Sequence, residues 1–321
     1  DLAASPTPAP LVFGNPDRMH LVIYKAALDK EFLLSASLID QIYAATGTGL
    51  NSRVVAFKRH GDRVFMLEAM KGHVVTQDLP SKLILAEIPI VWEDDQQIVL
   101  DFNTGMKKVF ISSNWWGTDF SGDNYDPSNT FTAINVSNSF IDSIKLQNDR
   151  VEIRQYLQLR LDRANYSPSY EVRYYLTPYT ENPSYVAKET GKTFDRVGFF
   201  EVPPVMEETS GRNSVKISKW DITKPITYYV SANTPTEYVD AVKEGILYWN
   251  KAFGREVLRA EVAPKGITAP DPNYNIVQWV PWNSAGFAYA DALMDPRSGE
   301  IKHAQIYLTS AFAFHSKASL R

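Results

Sequence analysis

Apolar and polar positions alternate with a period close to two along most of the chain before residue 180. Residues 53–59 and 63–69 place Val55, Phe57, Val64, Phe65 and Leu67 in or near alternation on either side of His60-Gly61-Asp62. This pattern predicts a β-hairpin. Residues 83–92 and 97–102, around Glu93-Asp94-Asp95, predict a second. Residues 141–146 and 150–161, around Gln147-Asn148-Asp149, predict a third. In its second arm Val151, Ile153 and Gln155 give way to Tyr156, Gln158 and Arg160, as in a bulged or two-faced strand. Shorter apolar runs at 11–14, 19–24, 31–39 and 170–179 complete a region, 11–179, that reads as antiparallel β. Turn signals at such short intervals suit a sandwich or a barrel-like sheet, with room for a break into two subdomains near 103–130.

The pattern fades over 180–218, a stretch rich in Pro, Glu, Ser and Thr, and this predicts a linker. Beyond it the period changes. A strand at 226–230 precedes Thr234-Pro235-Thr236-Glu237, which has the form of a capping box with Pro at the first helical position. Val242, Ile246, Trp249 and Phe253 then recur at helical spacing, and Gly254 stands where a left-handed stop belongs. The stripe is expected to pack into the core. Strand patterns follow at 256–263, at 275–282 and 287–294, read as a pair, and at 301–308 after Asp295-Pro296-Arg297-Ser298-Gly299. Residues 1–10, rich in Ala, Ser, Thr and Pro, read as a flexible lead, and 219–321 as a separate C-terminal unit.

Composition narrows the functional classes. A net charge of −4 with no basic cluster argues against nucleic acid or an anionic membrane surface as partner. No apolar run approaches the about 18 residues of a transmembrane helix. With no cysteine, thiol nucleophiles, disulfides and Cys-ligated zinc are excluded. The five histidines, His20, His60, His73, His303 and His315, include no pair four residues apart, and none is followed by Glu. The H-E-x-x-H helix of zinc hydrolases is therefore missing. No G-x-S-x-G elbow or phosphate-binding glycine loop occurs. The acidic loop from Asp119 gives Asp, Ser, Asp at alternate positions, but Asn124 and Thr130 stand where a calcium loop needs Gly and Glu. In the same loop Trp115 and Trp116 form a candidate binding platform.

Several stretches carry a family likeness. They are Phe57-Lys58-Arg59-His60-Gly61-Asp62-Arg63-Val64, Asn148-Asp149-Arg150-Val151-Glu152, Val172-Arg173-Tyr174-Tyr175-Leu176 and Asp195-Arg196-Val197-Gly198-Phe199-Phe200. The most specific are Tyr248-Trp249-Asn250-Lys251-Ala252-Phe253-Gly254, Tyr274-Asn275-Ile276-Val277-Gln278-Trp279 and Asp295-Pro296-Arg297-Ser298-Gly299-Glu300-Ile301. Together they resemble bacterial exported zinc-dependent metallopeptidases related to the metzincins, whose N-terminal regions carry domain-of-unknown-function labels.

The resemblance implies an α+β, mostly antiparallel chain. A β-rich N-terminal region would be followed by the upper half, strand-helix-strands, of a metzincin-like catalytic domain, truncated before its H-E-x-x-H helix. It implies a secreted or periplasmic protein, zinc in the intact parent but none on this chain, and no catalytic residue here. Its partners would be a peptide or protein substrate and the C-terminal remainder of the catalytic domain. Gly286, Phe287, Ala288, Tyr289 and Ala290 would form the strand edging a substrate cleft, pairing its backbone with an extended peptide. A reading from a different class is a non-catalytic exported binding protein that uses Trp115 and Trp116.

Overall fold

The computed structural model describes residues 11–15, 18–40, 47–69, 84–106, 134–147, 149–161, 167, 169–189, 200–202, 205–206, 213–282, 288–311 and 313. Ten strands form one antiparallel sheet: β1 (Leu11–Asn15), β2 (Arg18–Tyr24), β3 (Glu31–Asp40), β4 (Gly47–His60), β5 (Arg63–Glu68), β6 (Ile84–Glu93), β7 (Gln97–Asp101), β8 (Ile134–Gln147), β9 (Arg150–Leu161) and β10 (Ser169–Pro178). Their order is β1-β2-β7-β6-β5-β4-β3-β10-β9-β8. The last strand, β8, returns against β1 and β2, so the sheet curls into a nearly closed, barrel-like form. Curling removes most of the exposed edge that an open antiparallel sheet would present.

Alternation explains the barrel core. On β9, Val151, Ile153, Leu157 and Leu159 point inward and are buried, while Glu152, Arg154, Tyr156 and Arg160 alternate with them. Between two of those apolar residues sits fully buried Gln155. Its Nε2 donates to the Met106 carbonyl at 3.0 Å, at the end of a short helix, α1 (Phe102–Met106). Gly105 in that helix touches the sheet closely, for a Cβ there would lie 2.5 Å from Ile88. The three sequence-predicted hairpins are present as β4–β5, β6–β7 and β8–β9.

Residues 180–218 do not run free where they are described. The short strands β11 (Val205–Met206) and β12 (Asn213–Ser214) pair, and isolated bridges join Glu189 to Lys216 and Glu201 to Ile217. Lys216 Nζ donates to the Arg297 carbonyl at 2.9 Å and ties the stretch to the C-terminal unit.

That unit holds β13 (Ile226–Val230), α2 (Thr236–Phe253), β14 (Leu258–Val262), β15 (Asn275–Val280), β16 (Ala288–Met294) and β17 (Ile301–Thr309). The sheet order is β14-β13-β15-β17-β16. Three neighbouring pairs are parallel, and only β16 runs antiparallel to its partner β17. The expected pairing of β15 with β16 does not form, because β17 lies between them. The long β13–α2–β14 crossover lays α2 over β13 and β14.

The expectation of an α+β chain ending in the upper half of a metzincin-like catalytic domain does not hold. The molecule is mostly antiparallel β, with strands making up 58% of the described residues, and the barrel-like sheet dominates it. A metzincin upper half is not shown. One strongly patterned helix weighted the sequence reading towards a mixed class, yet α2 is the sole described helix of more than two turns. No described helix is long and apolar enough to cross a membrane.

Candidate functional site

The apolar stripe of α2 is only half covered. Ile246 is buried against the sheet and Val242 packs beside it, in a cluster with Ile226, Tyr228, Val230 and Val277. The next two positions of the same stripe turn away: Trp249 is 62% exposed and Phe253 41%, which corrects the expectation that both are core. The cause is the position of the helix. It lies over β13 and β14, at one side of the sheet, and leaves the same face of β15 and β17 uncovered among the described residues.

The result is a groove of about 820 Å³. Its floor is Tyr228, Val277, Ile306 and Leu308, from three neighbouring strands, and α2 forms one wall with Trp249 and Phe253. Among the described residues no charged side chain lines it. Burial beside these apolar groups pushes the Tyr228 hydroxyl up to about 12, so it stays protonated. At one end Tyr238 stacks on Trp279, with ring centroids 5.4 Å apart and planes 12° from parallel. That end is fixed from below. Gln278 Nε2 donates to Asn233 Oδ1 at 3.0 Å, and Asn233 Nδ2 donates to the Trp279 carbonyl at 3.0 Å. Just beyond the paired ends of β15 and β17, buried Ala311 donates its N–H to the Trp282 carbonyl, and Ala313 lines the groove. The chain leaving β17 therefore enters the groove mouth.

The start of the helix also differs from its sequence signature. Pro235 is the cap residue and no side chain caps the first turn. Thr234 is instead buried, with its hydroxyl 3.1 Å from that of Ser231, in the turn that leads out of β13. The C-terminal stop is as read: Gly254 adopts φ 63° and donates to the Lys251 carbonyl.

Of the proposed cleft-edge residues, Gly286 and Phe287 lie outside the described residues, as do Trp115 and Trp116. Ala288, Tyr289 and Ala290 open β16, the edge strand, in register with Leu308, Tyr307 and Ile306. Ala288 and Ala290 are exposed. From Asp291 onward the strand is held against the barrel: Asp291 and Leu293 are buried, and β4 runs close by. Any backbone pairing by an added strand is thus confined to the Ala288–Ala290 end.

Three described histidines sit apart, His20 on β2, His60 at the end of β4 and His303 on β17, while His73 and His315 lie outside the described residues. Among the described residues no group of three His, Asp or Glu could hold a metal ion. They do not fit zinc, which needs three protein ligands around an open position. Sequence reasoning missed Trp220, Ile306 and Leu308 as groove residues, since nothing in a periodic pattern tells which side of a strand is left bare. Comparison with protein-family models, with curated proteins and with solved structures found no match to this chain.

Proposed function

We propose that this chain is the ligand-free part of an exported zinc-dependent endopeptidase, which hydrolyses peptide bonds only together with an H-E-x-x-H segment outside these residues. The observation that carries the proposal is the groove. Parallel strands are ordinarily covered on both faces. An uncovered apolar trough walled by Trp249 and Phe253 needs an amphipathic helix to fill it. The chain leaves β17 at the mouth of that trough. A helix that carries an H-E-x-x-H motif on one face and is apolar on the other would suit the trough. Among the described residues no group of three His, Asp or Glu could hold a metal ion, and the contribution proposed for them is a seat for the helix and, at Ala288–Ala290, a short edge for an extended peptide.

The test is expression of the chain extended through the downstream coding sequence, with and without Trp249→Asp. Chelator-sensitive peptidase activity is expected in the extended protein, none in residues 1–321 alone, and loss of about tenfold or more in the variant. Absence of an H-E-x-x-H segment downstream, or zinc-dependent cleavage by residues 1–321 alone, overturns the proposal. The first of these outcomes favours an exported binding protein, whose groove would seat a helix of another protein.

A further inference from the structure

The face of the five-stranded sheet that looks away from the groove carries an apolar cluster, Ile276, Val280 and Tyr307, and beside it a set of buried polar groups. Asp291, Asp295, Glu300 and Gln305 are all buried there or in the β16–β17 turn, at 7% exposure or less. Buried carboxylates are costly unless hydrogen-bonded. Asp295 accepts from the Arg297 and Ser298 N–H groups of its own turn, and further donors come from the barrel and from the residues just after it. Ser37 Oγ donates to Asp291 Oδ2 at 3.4 Å, and the Tyr179 hydroxyl donates to Asp295 Oδ1 at 3.3 Å. Asn182 Nδ2 donates to Glu300 Oε1 at 2.8 Å, with Lys302 on the other oxygen of the same carboxylate.

The traffic also runs the other way. Arg297, at the tip of the β16–β17 turn, donates a two-pronged pair of hydrogen bonds to Glu31 on β3, both at 2.7 Å. Its guanidinium lies over the Tyr179 ring, 4.9 Å from the centroid. The Tyr175 hydroxyl reaches the Pro270 carbonyl at 3.0 Å, and Arg150 Nη1 reaches Asn273 Oδ1 at 2.8 Å.

We infer that the barrel is an obligate and permanent partner of the C-terminal sheet, and not a pro-segment that leaves it. The barrel has its own closed core, drawn from residues 19–176, and needs nothing from the sheet to bury it. The sheet has two apolar clusters of its own, but its buried carboxylates draw part of their hydrogen bonding from residues before 183. Without the barrel, Asp291, Asp295 and Glu300 each lose a donor, and the Arg297 fork loses its carboxylate. The groove lies on the far face, so the barrel can stay bound while the groove is filled. This inference stands whether or not the chain belongs to a peptidase.

The experiment is a cut in the full-length chain. A specific protease site is placed within residues 207–212, between β11 and β12, and the protein is cleaved after folding. The two pieces are expected to co-elute as one species of the intact mass, and to unfold in one thermal transition, at micromolar concentration. Separation on dilution to that range overturns the inference. Two variants read the contact directly. In cleaved Glu31→Ala the dissociation constant is expected to rise about tenfold or more, and in cleaved Arg297→Lys, which keeps the charge but loses the fork, by less. An unchanged constant in Glu31→Ala removes the Arg297 fork as the anchor and overturns its part in the inference.

Discussion

Two glycines with similar backbone angles are under different constraints. Gly61 turns the β4–β5 hairpin at φ 60°, and a Cβ there would meet nothing within 4 Å. Gly299 has φ 76°, and a Cβ there would lie 2.4 Å from the Ile217 carbonyl oxygen, a backbone atom that cannot swing aside. Gly61→Ala is expected to cost about 1 kcal/mol, the strain of the left-handed region alone. Gly299→Ala is expected to cost more than about 2 kcal/mol, and chemical denaturation of the two variants side by side checks the contrast. The turn containing Gly299 was legible in the sequence. The pressure on it was not, because Ile217 lies in the stretch that read as a linker.

His303 carries a pH dependence. Burial, aided by the positive charge of Arg150, lowers its pKa to about 4. Its Nδ1 is withdrawn from water with no hydrogen-bond partner. The unfolded chain binds this proton more readily than the folded one between the ordinary value of 6.5 and about 4. Stability therefore rises with pH through that window and falls as the solution is acidified. Between pH 7 and pH 4.5 the residue is expected to account for about 2 kcal/mol of lost stability. His303→Gln should show that much less acid sensitivity in urea unfolding measured at both pH values. An equal pH slope in the two proteins sinks this assignment.

At the scale of the element, α2 separates what a periodic pattern says from what it omits. Spacings of four, three and four correctly marked one apolar face and its Gly254 stop. They could not say that the sheet beneath would meet only part of that face. The two ends of the stripe should respond differently in this chain. Ile246→Ala, at a buried position, is expected to cost about 2–3 kcal/mol. Trp249→Ser, at 62% exposure, is expected to cost less than about 1 kcal/mol. Thermal unfolding of the pair decides it, and a large loss for Trp249→Ser would mean that the groove is closed in solution. The strands show the same division. Hairpins such as β4–β5 are local and were legible, whereas β15 joins β17 in parallel across the length of β16, a pairing that no neighbouring turn announces.

Across the whole molecule, alternation was enough to foresee an antiparallel β region, but not its closure. The order β3-β10 brings together residues 31–40 and 169–178, and β8 meets β1, contacts made over long sequence separations. The candidate site was less legible still. The stretch Gly286–Ala290 was read as the edge of a substrate cleft, and its described part, Ala288–Ala290, lies on the outermost strand; the groove itself arises from the offset of α2 over a sheet whose order the sequence did not reveal. The class was misjudged for a related reason: one helix with strong signals outweighed many strands with weak ones.

The barrel's grip on the β16–β17 turn bears on how the groove receives a visitor. β16 and its turn onto the floor strand β17 are pinned from behind by Glu31, Tyr179 and Ser37, and the floor strand β15 is pinned at its end by the Gln278–Asn233 pair. Their conformational entropy is spent when the protein folds. A helix arriving at the groove therefore pays for its own ordering alone, and the receiving surface behaves as a rigid template. Loosening the turn should weaken docking at the groove through a face that the incoming helix never touches.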